Sequence, residues 1–164
     1  MTHERTHQHF LELIHKYQSI IHKICFVYCM NKADREDLQQ EIILQLWKSF
    51  PSFRENAAFS TWMYRVALNT AINQTRRPGL LLDTSSSPEI PYDPSDSYHL
   101  SEEIQLLYKA ISKLRKVEKA IILMWLEEKT YEEIAETIGI SVKNVSVRLV
   151  RIRARLAEII TQLQ

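Results

Sequence analysis

The chain has 164 residues, 45% of them hydrophobic, with two glycines and a formal net charge of +1. That length fits one domain or two small ones, and the scarcity of glycine favours packed helices over sheet-and-turn architecture. No apolar run approaches the ~18–20 residues that span a bilayer, and the polar start MTHERTHQHF lacks a signal core, so the expectation is a cytoplasmic chain without membrane insertion.

Near-neutrality hides a division. Residues 1–77 carry +3, residues 78–100 carry −4 with no Lys or Arg, and residues 101–164 carry +2. Few phosphates can be neutralised at once, so bulk non-specific DNA affinity should be modest.

From Phe10 to about Met30, apolar residues recur at spacings of three and four (Phe10, Leu13, Ile14, Tyr17, Ile20, Ile21, Ile24, Tyr28), which predicts one helix. His22, Cys25 and Cys29 fall near one face of it. A structural zinc needs four ligands and no fourth group stands at a usual spacing, so the cysteines read as core residues and no metal or cofactor is expected. His3, His7 and His9 read as a frayed polar terminus.

Asp34 can cap a second helix running to about Lys48, with Leu38, Ile42, Ile43 and Leu46 on its apolar side. Asp37, Gln40, Glu41 and Leu44 lie around the other side, and Trp47 stands at the end. Taken alone, that polar face reads as solvated. Pro51 closes the helix, and the loop PSFRENAA leads to a third helix from about Ser60 to Arg76. Down one face of it run Trp62, Arg65, Asn69, Asn73, Arg76 and Arg77. Such a mixture suits unstacked bases, but a core tryptophan with solvated arginines explains it equally well.

Residues 78–100 hold four of the five prolines and read as an extended acidic linker, in which Leu80, Leu81 and Leu82 pack on a lobe or a partner. Fully extended, it reaches ~75 Å, far enough to hold two modules on DNA elements two helical turns apart. Ser101 then caps a fourth helix with the stripe Ile104, Leu107, Ile111 and Leu114. A fifth, Val117 to Glu127, is apolar along Ile121, Ile122, Met124, Trp125 and Leu126.

The last stretch, TYEEIAETIGISVKNVSVRLVRIRARL from Thr130 to Leu156, is the most specific. Thr130 and Glu133 form a capping box, and Ile134 and Ile138 share a face. Gly139 ends the helix, and Ser141 caps another with the stripe Val145, Leu149, Ile152 and Leu156. Small Ala135, turning Gly139 and plugging Val145 stand in the order of a helix-turn-helix whose second helix enters a major groove. Ser141, Lys143, Asn144, Ser146, Val147, Arg148, Arg151 and Arg155 lie where bases and phosphates would be met. No catalytic constellation and no phosphate-cradling glycine loop accompany it, so the chain reads as a non-enzyme.

An all-α chain of two small helical domains, an acidic linker and a C-terminal helix-turn-helix resembles a bacterial sigma factor of the extracytoplasmic-function group. The resemblance implies a region 2-like domain over 1–77, a linker over 78–100 and a region 4-like domain over 101–164. In such a protein Asp37, Gln40, Glu41, Leu44 and Trp47 dock on the β′ clamp helices of core RNA polymerase. The resemblance also implies a contact with the polymerase β flap. Arg54, Asn56, Ser60, Thr61, Trp62, Arg65, Asn69, Asn73, Arg76 and Arg77 meet the −10 promoter element, with Arg54 to Ala58 placed to capture a flipped base. The helix-turn-helix residues meet the −35 element, and an anti-sigma factor is the implied regulator. Three places depart from the family pattern. Arg115 stands where a proline is usual, Lys119 where an arginine soon follows it, and Lys129 and its neighbours where a glycine commonly precedes the helix-turn-helix. The rival reading is a stand-alone dimeric helix-turn-helix regulator, against which stands the lack of a dimerising heptad run.

Overall fold

The computed structural model describes residues 2–54, 58–74 and 101–164. Asn56, Arg76, Arg77 and the linker with Leu80, Leu81 and Leu82 lie outside them. Among the described residues the chain is helical, with one short 3-10 turn.

The helix expected over Phe10 to Met30 is two: α1 (Thr2–Lys16) and α2 (Gln18–Tyr28), parted at Tyr17, whose φ of −109° and ψ of 17° leave the helical basin. The Tyr17 ring lies 5.3 Å from that of Phe59, and the break lets α1 lay Phe10 against Trp47 and Phe50 at 5.0 and 5.2 Å. His3, His7 and His9 belong to α1 rather than to a frayed end, and the His7 ring meets Trp47 edge-on at 5.4 Å. Ile20, Ile21, Ile24, Cys25 and Val27 are buried in the core. Burial pushes the Cys25 thiol up to about 12 and the Cys29 thiol up to about 11, which keeps both in the protonated, unreactive form at neutral pH.

α3 (Lys32–Ser49) is capped by Asn31, not Asp34. The Asn31 Oδ1 accepts from the Asp34 backbone N–H at 2.8 Å, and its Nδ2 donates to the Asp34 carboxylate at 2.9 Å, so Asp34 sits inside the first turn. Leu38, Ile42 and Leu46 are the buried stripe. Phe50–Ser52 form the 3-10 turn, and α4 spans Phe59–Gln74 with Met63, Tyr64, Ala67, Leu68 and Ala71 buried.

The Ser101 Oγ caps α5 (Glu102–Ile111) by accepting from Ile104 N–H at 3.3 Å. The expected stripe is only partly inward, because Ile104 is 40% exposed while Ile111 and Leu114 are buried. α6 (Lys116–Leu126) opens with the Arg115 N–H donating to Glu118 Oε1 at 3.1 Å. A proline at position 115 would lack that donor. Leu123 joins Ile121, Ile122 and Met124 in the core, whereas Leu126, expected there, is 39% exposed. α7 (Tyr131–Ile138) and α8 (Val142–Leu163) complete the chain.

α1–α4 form one cluster and α5–α8 another, and the two meet. α2 packs on α5 and α6, and α4 packs on α6 and α7, so the buried side chains make one continuous apolar core. At the seam the Phe26 and Tyr108 rings lie 6.4 Å apart, and the Tyr28 hydroxyl donates to the Lys116 carbonyl at 2.7 Å.

Candidate nucleic-acid interface

The helix-turn-helix closes by local hydrogen bonds. Thr130 N–H donates to Glu133 Oε1 at 3.2 Å while Glu133 N–H donates to Thr130 Oγ1 at 3.1 Å. Gly139 adopts φ 84° and ψ 35°, and the N–H groups of Gly139 and Ile140 both donate to the Ala135 carbonyl, at 2.8 and 3.1 Å. This left-handed residue satisfies the carbonyl at the end of α7 and turns the chain. The Ser141 Oγ accepts from Asn144 N–H at 3.1 Å, starting α8. Ile134 and Val145 are fully buried, and Leu149, Ile152 and Leu156 nearly so.

With that stripe turned inward, helical geometry aims the opposite side outward. Ser141, Lys143, Asn144, Ser146, Val147 and Arg151 are exposed, and Arg148 is half-buried. Arg155 is exposed but leans toward α6, its Nη1 lying 3.9 Å from Glu118 Oε1. Arg153, also basic, stacks on Trp125 at 4.9 Å. Val150 is 68% exposed, one turn beyond Val147 on the outward side, and the sequence reading omitted it. Its signal was available, since valine at 147 and 150 falls outside the 145–149–152–156 stripe.

In the first cluster, Asp37, Gln40, Leu44 and Trp47 are exposed along α3, and Glu41 is half-buried, its Oε1 accepting from Gln45 Nε2 at 3.0 Å. Trp62 was open between core and surface; it is half-buried in an aromatic cluster with Phe53, Phe59 and Phe50, at centroid distances of 5.0, 5.4 and 6.2 Å. Arg54 is exposed in the loop before α4, and Asn69 and Asn73 are exposed further along that helix. Asn69 and Asn73 line an open polar cleft of about 360 Å³ between α3 and α4, together with Glu41, Gln45, Thr70 and Gln74. Gln45 went unnoticed in the sequence because nothing local marks a cleft between two helices.

The start of α4 meets the second cluster. Thr61 is 8% exposed, and its hydroxyl donates to Glu133 Oε2 at 2.7 Å. Lys129 Nζ donates to Ser60 Oγ at 2.8 Å, and Arg65 Nη2 lies 3.0 Å from Glu136 Oε1. The Thr61 hydrogen bond is the main cause that holds the Glu133 carboxyl below its usual range. Lys23 on α2 pairs with Glu127 just after α6, and Lys119 lies 5.0 Å over the Tyr28 ring. Burial pulls the Lys119 ammonium down and pushes the Tyr64 phenol up, the latter reinforced by the Glu127 carboxylate.

Comparison with known proteins bears on both clusters. Residues 13–79 match Sigma-70 region 2, and residues 104–156 match Sigma-70, region 4. An ECF RNA polymerase sigma-E factor of Haemophilus influenzae is 32% identical over 155 residues, which cover 86% of this chain and 82% of that one. The chain belongs to the extracytoplasmic-function sigma factors. The ECF RNA polymerase sigma factor SigW of Bacillus subtilis is 29% identical over 163 residues, covering 90% of this chain and 86% of its own. Among solved structures, the sigma factor RpoE of Bartonella quintana, in complex with the anti-sigma factor NepR, shares the fold at a TM-score of 0.74 and 20% identity. That match covers 94% of this sigma factor and 98% of the other chain. CnrH, in complex with the cytosolic domain of CnrY, does so at 0.65 and 20%, over 95% and 90% of the two chains.

The protein is therefore an RNA polymerase sigma factor, a transcription-initiation factor, and the stand-alone dimeric regulator is not favoured. Among the described residues no helix is long and apolar enough to cross a membrane.

Proposed function

We propose that this sigma factor carries core RNA polymerase to its promoters through four contacts. The outward side of α3, with Asp37, Gln40, Glu41, Leu44 and Trp47, docks on the polymerase β′ clamp helices, and the second cluster meets the β flap. Arg54, Asn56, Ser60, Thr61, Trp62, Arg65, Asn69, Asn73, Arg76 and Arg77 take the −10 element. Ser141, Lys143, Asn144, Ser146, Val147, Arg148, Arg151 and Arg155 take the −35 element. The working units are residues 1–77 and 101–164, joined by the acidic linker 78–100. The chain performs no chemical step of its own and works in the cytoplasm, where polymerase and chromosome are.

The observation that carries this reading is the outward side of α8. Its inward stripe is buried against α7, while Lys143, Asn144 and Val147 near its N-terminus project free. An amide and an ammonium there reach acceptors and donors on base edges, and a valine packs on a thymine methyl. Arg151 falls a turn further on, at the distance where a groove-bound helix meets phosphate. Held on polymerase at a set separation, the two DNA contacts become intramolecular, which offsets the weakness of each alone. Both structural neighbours described above are complexes with a protein partner, one of them named an anti-sigma factor, which supports such a regulator here too.

Run-off transcription from a promoter library, with bacterial core polymerase alone and with the added chain, tests the reading. Promoter-selective transcripts should appear only with the chain, and Glu41→Lys should abolish them by reversing the charge on the docking side. Transcripts that are independent of the chain, together with tight dimeric binding to DNA alone, would overturn it.

A further inference from the structure

The outward side of α8 is assigned above to the −35 element, yet its outermost line is not polar. Opposite the buried stripe Val145, Leu149, Ile152 and Leu156, helical spacing aligns Val147, Val150 and Ala154, with Lys143 at the N-terminal end of the line. Val147 is 42% and Val150 68% exposed, and Ala154 is exposed beyond them. Val142, the third exposed valine of α8, stands in its first turn and off this line. Cations occupy the flanks, Arg151 and Arg155 on one side and Arg153, stacked on Trp125, on the other. Nothing in the helix itself calls for the valines. A β-branched residue forms helix less readily than alanine, lysine or arginine, so a solvent-facing position gains no stability from one.

A helix in the major groove turns its outermost line to the base edges and its flanks to the bordering phosphates. Polar edges are met by Arg, Lys, Asn or Gln, and beyond Lys143 and Asn144 this line offers none of them. The one apolar group that a base pair shows in the major groove is the thymine C5-methyl. The spacing fits as well. Val147 and Val150 stand about 4.5 Å apart along the helix axis, at ~1.5 Å per residue, close to the ~3.4 Å between successive base pairs.

We propose that Val147 and Val150 form an apolar pair that reads thymine methyls at two successive base pairs of the −35 element, with Val150 as a further specificity-determining residue. This rests on the −35 assignment of α8 given above and names the bases that α8 selects. Cytosine is rejected at both positions, because it lacks the methyl and its N4 amino group would lose water against a valine.

Deoxyuridine tests the pair, because its base differs from thymine only by that methyl. Holoenzyme assembled from core polymerase and the full-length chain is measured for equilibrium binding to a duplex promoter recovered from the run-off library. Each −35 thymine, on either strand, is replaced in turn. Two neighbouring replacements should each weaken binding by roughly fourfold, the scale of one methyl group withdrawn from water, and the others should leave it unchanged. Val150→Ala should shrink the effect at one of the two positions and Val147→Ala at the other. At its exposure Val150 has little hold on folding, and alanine is the better helix former. Recovered −35 elements without thymines at successive base pairs, deoxyuridine without effect, or an effect that both variants keep in full would each overturn methyl reading. Silent deoxyuridine with a Val150→Ala chain that binds DNA as wild type would hand the valine line to a protein partner instead. Arg151→Ala on the same promoter separates the two failures. An even loss across sequences with silent deoxyuridine refutes methyl reading alone, whereas no loss at all removes α8 from the promoter and takes the −35 assignment with it.

Discussion

Two left-handed backbone positions bracket α7, and their chemistry is mismatched in a way that predicts opposite effects of two substitutions. Gly139 has φ 84°, and Glu128 has φ 60°, the one positive-φ residue other than glycine among the described residues. Glu128 ends α6: Lys129 N–H reaches back to the Met124 carbonyl at 3.0 Å and Glu127 N–H to Leu123 at 3.2 Å. That is the pattern of a helix C-terminus closed by a left-handed residue, a position that favours glycine. A Cβ in this region costs roughly 1–2 kcal/mol, while glycine gives back roughly 0.5–1 kcal/mol through the entropy of the unfolded chain. The Glu128 side chain is exposed, so little else is lost on removing it. Glu128→Gly should therefore stabilise the protein by about 0.5–1 kcal/mol, raising Tm by ~1–4 °C at this chain length. At Gly139 an added Cβ meets nothing within 4 Å, so Gly139→Ala should cost only the backbone term, about 0.5–1 kcal/mol in the opposite direction. Urea unfolding followed by far-UV circular dichroism, with unchanged m-values, reads both shifts. A Glu128→Gly chain no more stable than wild type would refute the reasoning, since it would mean that the left-handed conformation at this site carries no penalty.

Arg151→Ala should weaken promoter binding about evenly across −35 sequences, by removing a phosphate contact, whereas Lys143→Ala should relax discrimination at one −35 base by about 1–3 kcal/mol. Holoenzyme binding to a panel of single-base promoter variants separates the two, and a uniform loss from Lys143→Ala would remove that residue from base reading. A third test concerns Glu133, whose carboxyl is held down first by Thr61 and then by its Thr130 contacts. A depressed carboxyl contributes stability that is fully present above its ordinary value of 4.5 and is lost as pH falls through its lower folded value. Glu133→Gln keeps the capping-box geometry without the charge, so its deficit in urea midpoint at neutral pH should shrink as the solution is acidified below about 4.5. A deficit that widens in acid would contradict this origin of the shift.

The sequence by itself determined the features that depend on near neighbours. The capping pair Thr130 and Glu133, the turn at Gly139, the Ser141 cap and the Val145–Leu149–Ile152–Leu156 stripe all use residues within a few positions of one another, and all were legible from spacing. So was the outward side of α3, because burying Leu38, Ile42 and Leu46 leaves Asp37, Gln40 and Leu44 nowhere else to point. Local rules failed where two candidates competed within one turn, as when Asn31 rather than Asp34 capped α3. They failed again where a ring was drawn to a distant partner, as Tyr17 was toward Phe59 at the cost of a continuous helix. Only the tertiary structure decided the fate of α4. Spacing put Trp62, Arg65, Asn69 and Asn73 on one face without saying which of them solvent would reach. Trp62 went into an aromatic cluster and Ser60, Thr61 and Arg65 went against Lys129, Glu133 and Glu136, while Asn69 and Asn73 stayed exposed. Those partners lie some seventy positions away in the chain, and complementarity between such distant surfaces leaves no periodic trace in either segment.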